Sequence, residues 1–332
     1  MTRRLWPWTR LLIALGIVVA LVWRLGTGSF LAGLRAIDAG VVLAALGIGL
    51  LTTVFSAARW CLVAHRLGLK LALPTAVADY YRALLLNAVL PAGVLGDAHR
   101  AVSHGQDAGD VGRGIRAVAL ERLAGQAVLI TVGAAVLFTQ PEVLTALMPG
   151  RGALLVALVL VVAVIVVAAM ARQKGSRWRR ALTATLVDVR RGLLARRSWP
   201  GVAMLSAAAL LGHLVLFVLA ARAAGAAAPL AQLLPPLVLA LLAMGLPLNV
   251  GGWGPREAVC AAAFGAAGLD IAQGLTVAVV YGVLTLVASL PGITVLLFRR
   301  RARASAPEDL QVCAERLDQA GQQRPALAGG GK

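Results

Sequence analysis

The sequence predicts an all-α polytopic membrane protein, with about six full spans plus two opposed re-entrant helical hairpins arranged as an inverted repeat. Three observations predict it. Hydrophobic residues make up 60% of the 332-residue chain and charged ones 14%, too apolar a balance for a soluble globular fold. Uncharged runs recur at 11–23, 39–58, 123–141, 152–171, 198–221, 223–255 and 271–298, with arginines clustered between them. Two segments broken by Pro and Gly, one in each half of the chain, share a residue pattern.

The hydrocarbon core is spanned by about 20 apolar residues, so most of these runs are long enough to cross. The first run, 11–23, crosses only if Arg10 and Arg24 snorkel to the interfaces. A secretory signal peptide is the rival reading, given Arg3, Arg4 and Arg10 ahead of it. No small-x-small cleavage site follows, and a span is favoured. Trp6, Trp8, Trp23, Trp60, Trp178 and Trp199 flank the runs as an interfacial aromatic belt would, and Trp253 departs from that pattern.

The formal charge of +18 does not point to nucleic acid, because the cations sit between apolar runs and not on a soluble face. They set orientation. The loop holding Arg172, Lys174, Arg177, Arg179, Arg180, Arg190, Arg191, Arg196 and Arg197 carries Asp188 as its single acid and reads as cytoplasmic. Arg299, Arg300, Arg301 and Arg303 place the C-terminus there too, and Arg3, Arg4 and Arg10 the N-terminus, in a cell membrane crossed many times. Residues 1–298 form the membrane domain, and the polar stretch 299–332 is expected to be a disordered cytoplasmic tail.

Parity then tests which runs cross. The spans at 117–139 and 152–171 go out and back, so Arg100, Arg113 and Arg116 lie inside, on the same side as Arg59, Arg66 and Lys70. The segment between them, 75–96, therefore begins and ends inside. Its uncharged part, 83–96, is short and contains Pro91, Gly93 and Gly96, which predicts a re-entrant hairpin. By the same counting 223–270 begins and ends outside, predicting a second hairpin from the opposite face.

The two breaks match. "LPAGVLGDAHR" (90–100) and "LPLNVGGWGPR" (246–256) agree ungapped at Leu90/Leu246, Pro91/Pro247, Val94/Val250, Gly96/Gly252 and Arg100/Arg256. Opposed broken helices near the midplane are a transporter design, tolerated where protein or a wet cavity satisfies the freed backbone groups. Pro91, Gly93, Gly96, Pro247, Gly251, Gly252 and Gly254 are the expected break residues, the glycines by adopting left-handed angles. Pro255 suits the first turn of a new half-helix, whose positive end and Arg256 can face an anion.

The charged residues around the breaks are the candidate lipid-binding set. Arg100 and Arg256 fit a headgroup phosphate clamp, with a snorkelling helix-end Arg or a structural salt bridge as the plainer reading. Asp97, Glu121, Arg122 and Glu257 suggest ion pairs crossing from one half to the other, or static pairs that hold the bundle. Asn87 and Asn249 are expected to cap freed backbone groups. Asp79 and Arg82 read as a surface i,i+3 pair, His65 and His104 as loop residues, His213 as a satisfied polar group in a span, and His99 as a minor candidate for a pH-sensitive gate. Cys61, Cys260 and Cys313 show neither disulfide nor zinc spacing, and no nucleotide, zinc-protease or dinucleotide motif appears, so no cofactor or metal is expected.

"GGWGPRE", "LGDAHR" and the "ERLAG" of Glu121 to Gly125 resemble motifs of the lysylphosphatidylglycerol synthase transmembrane-region family, flippase-like inner-membrane proteins. The resemblance spans roughly 10–298. It implies a domain that moves an anionic or aminoacylated phospholipid between leaflets, with membrane lipids as its partners and a separate lipid-modifying enzyme as a possible one. Where the family commonly has Gly-Gly-Asp in the first break, Leu95 takes the first glycine's place. The resemblance also implies that synthesis needs a large soluble aminoacyltransferase domain, so enzymatic activity is not expected of this chain alone. Two other readings stay open: a membrane subunit or enzyme of polyprenyl-phosphate or glycolipid metabolism, which would need a carboxylate free in the cavity, and a non-transporting scaffold.

Overall fold

A computed structural model describes residues 37–89, 94–139, 198–245 and 254–297, with Leu31 and Arg35. Its helices there are α1 (Ala39–Arg66), α2 (Leu73–Val89), α3 (Leu95–Asp107), α4 (Val111–Phe138), α5 (Trp199–Ala223), α6 (Leu230–Met244), α7 (Pro255–Ala266) and α8 (Ile271–Ser289). Aspartates start three of them by accepting from first-turn amides that have no partner within the helix. Asp38 takes the Val41 amide at 2.8 Å, Asp110 that of Arg113 at 2.8 Å, and Asp270 those of Ala272 and Gln273 at 3.1 and 3.2 Å. Helices α1, α4, α5 and the stretch Ile271–Leu297 begun by α8 are each long and apolar enough to cross a membrane. The expected spans at 11–23 and 152–171, the cationic loop and the tail lie outside the described residues.

Each half runs through the same order: a long helix, two shorter helices interrupted by a break, then a long helix. The turns are duplicated as well. Gly68 and Gly225 follow α1 and α5 at φ of 76° and 79°, and Gly109 and Gly268 follow α3 and α7 at 72° and 73°. Left-handed angles of this kind end helices on a residue without a Cβ.

The halves meet through α1 and α5, which pack antiparallel. Thr52 lies against Gly212, Arg59 reaches Ser206, and Leu62 faces Gly201, so numbers fall along one helix as they rise along the other. Flanking contacts are reciprocal. Gly133 of α4 meets Val238 and Leu242 of α6, while Gly292, just beyond α8, meets Tyr81 and Leu85 of α2. Likewise α1 touches α8, and α5 touches α4. Exchanging two antiparallel helices in this reciprocal way corresponds to a two-fold axis perpendicular to them.

Each half also has its own core. Trp60, Tyr80 and Leu120 centre one buried cluster, and Phe217, Tyr281 and Phe264 the other, where Phe217 and Tyr281 stack at 4.0 Å between ring centroids.

Helices α2 and α3 fold back on one another, with Arg82 against His99 at 3.1 Å and Ala83 against Gly96. This corrects the expected role of Gly96. It is a helical residue of α3 without a left-handed φ, and its smallness serves a close crossing: a Cβ there would stand 2.7 Å from the Ala83 Cα. Gly96→Val should wedge α2 from α3 and cost about 1–3 kcal/mol, the usual range for overpacking. A thermal midpoint in detergent equal to wild type would refute that crossing. Of the other expected break residues, Gly254 does hold a positive φ, 101°. Pro91, Gly93, Pro247, Gly251 and Gly252 lie outside the described residues, as does Asn249. The second break, between α6 and α7, is longer than the first.

Candidate functional site

Neighbouring residues on a helix diverge by about 100°, so Glu121 and Arg122 of α4 serve different surroundings. Glu121 is fully buried and turns towards α1, α2 and α3. Its Oε1 accepts from Arg59 Nε and from the Tyr80 hydroxyl, both at 3.0 Å, and from Arg59 Nη2. Its Oε2 accepts from Arg100 Nη2 at 2.7 Å. Arg122 turns the other way and donates through Nη2 to both Asp97 oxygens, at 2.7 and 2.6 Å.

Asp97 also accepts from Arg100 Nε at 2.9 Å and from the Asn87 amide nitrogen at 3.0 Å. The Asn87 carbonyl oxygen accepts from the Gly96 amide at 2.7 Å. That amide lies in the first turn of α3 and has no partner within its own helix, so Asn87 braces the break from the opposing helix. Arg100 is 1% exposed, and its guanidinium carbon lies 4.7 Å from the Trp60 ring centroid and 4.2 Å from that of Tyr80. Such cation–π contacts are strongest where water is excluded. The network joins three guanidiniums to two carboxylates, leaving one positive charge in surplus.

Local sequence explains how these charges come together. Gly125 follows Glu121 by about one turn, and a Cβ on it would stand 3.0 Å from Arg59 Nη1. The glycine of Glu-Arg-Leu-Ala-Gly therefore makes room for an arginine on α1.

The second half holds a smaller pair. Arg256 Nε donates to Glu257 Oε1 at 3.1 Å, and the guanidinium carbon lies 5.4 Å from the Tyr281 ring centroid. Glu257 Oε2 accepts from the Gly254 amide at 2.7 Å. The Glu257 side chain thus bends back over the start of α7, which brings it beside Arg256 and caps the helix with its own carboxylate.

Between the halves lies a cavity of about 350 Å³, within the range of small-molecule sites. Helices α1, α2, α4, α5, α6 and α8 all contribute to its wall. Arg59 and Arg122 are its cations, and Thr52, Ser56, Ser206 and Thr285 bring hydroxyls to it. His213 also faces it, with Nδ1 at 3.3 Å from the Tyr281 hydroxyl.

The family model for the lysylphosphatidylglycerol synthase TM region matches residues 8–292. The chain belongs to this family. Comparison with curated proteins and with solved structures found no match. Membership makes the chain a multi-pass membrane protein of a lipid-related family, and the matched region is the membrane part of such synthases.

In this lysylphosphatidylglycerol synthase TM-region chain, the structure gathers Asp97, Arg100, Glu121 and Arg122 into one network and sets Arg256 and Glu257 apart. Arg100 and Arg256, expected at a phosphate, are not among the cavity-lining residues. The ion pairs seen among the described residues run within a half, not across from one half to the other, because α3 and α7 each find acid and base on their own or the adjoining helices.

Arg59 is the residue that sequence reasoning missed as a site. It stood at the end of an apolar run and was explained by orientation, yet α1 continues to Arg66 and buries it. Its signal was present in the Gly125 position one turn after Glu121. Three further readings are corrected. Asp79 and Arg82 pair at 3.2 Å but are buried, since Arg82 is folded against α3. His104 is a buried residue of α3 and not a loop residue, packed edge-on to Trp60 at 5.4 Å. Trp60 is itself buried under Arg100, not interfacial.

Proposed function

We propose that this chain carries the headgroup of a membrane lipid between leaflets through the cavity that its two halves enclose, while the acyl tails stay in the bilayer. The observation that carries the reading is the cavity's position: it lies between halves of repeated helix order, with guanidiniums and hydroxyls on its wall. If α1 and α5 cross the membrane, their antiparallel packing puts the two-fold axis in the membrane plane. The α2–α3 and α6–α7 hairpins then enter from opposite faces as re-entrant elements, an inverted-repeat arrangement suited to alternating access. The headgroup phosphate is assigned to Arg59 and Arg122, with Arg100, Asp97, Glu121, Glu257 and Arg256 holding the break helices in place.

This reading makes the chain a carrier and not a catalyst. No carboxylate lines the cavity among the described residues, and Asp97, Glu121 and Glu257 are each held by arginine. The general base that lipid chemistry at this site would need comes down, among the described residues of the wall, to His213, whose Nδ1 lies against the Tyr281 hydroxyl. Any lipid-modifying step belongs to a separate enzyme.

Reconstitution in unilamellar vesicles containing a fluorescent anionic phospholipid tests the proposal, reading the fraction of label that becomes accessible to a membrane-impermeant quencher. Transbilayer movement well above that of protein-free vesicles is expected. Equal rates would remove the transport reading. Both termini are assigned to the cytoplasm of a cell membrane, and single cysteines at Ser103 and Gly225 should be labelled from the cytoplasmic and outer side respectively.

A further inference from the structure

We infer that the cavity selects headgroups that are net negative and bear free hydroxyls, as polyol phosphates do, and discriminates against aminoacylated headgroups. The inference deepens the transport reading and rests on it for the lipid's path, but its charge argument stands on the residues alone.

Charge balance is the first line. Arg59, Arg100 and Arg122 share only Asp97 and Glu121, so the network has one guanidinium charge too many. An uncompensated charge away from bulk water is costly and calls for a counter-ion. The surplus is directed at the cavity: Arg122 is held through Nη2 while 44% of its side chain stays exposed, and Arg59 and Arg122 both line the wall. A bound monoanion neutralises this site. A lysylated phosphate headgroup brings two ammonium groups for its one phosphate and adds positive charge.

The hydroxyls are the second line. Thr53, Ser206 and Ser289 donate to backbone carbonyls three or four residues back at 2.7 Å each, Thr285 does so at 2.8 Å, and Thr52 bonds the Ile48 carbonyl. Their hydrogens are committed to the helices. Ser206 Oγ also accepts from Arg59 Nη1 at 3.0 Å, and the oxygens of Thr52, Thr285 and Ser289 are the acceptors on the cavity wall complementary to the O–H groups of a polyol. Such oxygens would also solvate an ammonium, but they supply no countercharge against the two arginines, and like charges held together cost several kcal/mol.

The test uses the full chain in detergent, with retained lipid read by native mass spectrometry. Phosphatidylglycerol, phosphatidic acid and lysyl-phosphatidylglycerol are offered at equal concentration. Phosphatidylglycerol should be retained more than ~10-fold over the lysylated lipid, and phosphatidic acid, which lacks the headgroup polyol, should fall between them. Equal or stronger retention of the lysylated lipid overturns the inference. Gln126→Glu places a carboxylate on the cavity wall at nearly constant shape and should erase the preference; if a variant that elutes as a single species keeps it, the charge argument is overturned. Glycerophosphate without tails is the soluble-ligand arm, and displacement of the lipid at equimolar concentration would overturn lipid selection. Charge-selective binding with no movement in vesicles would defeat transport alone. Movement that ignores headgroup charge would defeat selectivity alone.

Discussion

Replacing Glu121 by Gln should destabilise the fold by about 3–5 kcal/mol, the range found when one partner of a buried pair is removed. The change is nearly isosteric, so packing is preserved and the loss is electrostatic. Glu121 is fully buried and holds Arg59 and Arg100 with its two oxygens, while the Tyr80 hydroxyl also depends on it. The neutral amide keeps one oxygen acceptor but leaves Asp97 as the only carboxylate for three guanidiniums. Arg100 cannot escape to water, sealed as it is between Trp60 and Tyr80. Unfolding in mild detergent, followed by heat or denaturant, measures the loss. A variant that unfolds with wild type would mean that Glu121 does not compensate these arginines.

Arg122→Gln separates function from fold. The side chain opens on the cavity, Asp97 keeps Arg100 and Asn87 when Arg122 is gone, and the remaining two guanidiniums match two carboxylates, so stability should change by less than about 1 kcal/mol. Hydrogen bonds to charged groups contribute about 1.5–3 kcal/mol. Lipid movement in vesicles should accordingly fall by roughly 10- to 100-fold while the thermal midpoint stays near wild type. Unchanged movement would take Arg122 out of the headgroup path. A collapse of both quantities would assign it to the structural network with Arg100.

Much of the architecture is legible in the residues. The Leu-Pro and Arg matches at 90–100 and 246–256 mark two breaks, and repeated helix order flanks them with like elements. Pro255 begins α7, and Asn87 caps a break amide from across the hairpin. Spacing along a chain does not reveal which side of a helix meets which neighbour, and this is where the site was hidden. Arg59 and Trp60 border an apolar run, which fits both an interfacial position and the buried one they occupy. Gly96 carries the same ambiguity, since a missing Cβ permits a left-handed turn or a close helix crossing, and only the proximity of Ala83 decides. The pairing of Arg256 with Glu257 was obscured by the divergence of adjacent side chains, because the backward bend to Gly254 depends on the helix beginning at Pro255.

Cross-linking from inside the cavity tests the headgroup path most directly. Cys61, Cys260 and Cys313 would be replaced by Ala, Ser206 changed to Cys on the cavity wall, and the protein reconstituted with an anionic phospholipid carrying a thiol-reactive headgroup. The adduct should form at position 206 whether the reactive lipid is supplied to one leaflet or to the other, and competition with unmodified phosphatidylglycerol should suppress it. No adduct at 206, in a protein whose control cysteine at exposed Met204 is modified by the same lipid, would contradict a headgroup path between the two halves.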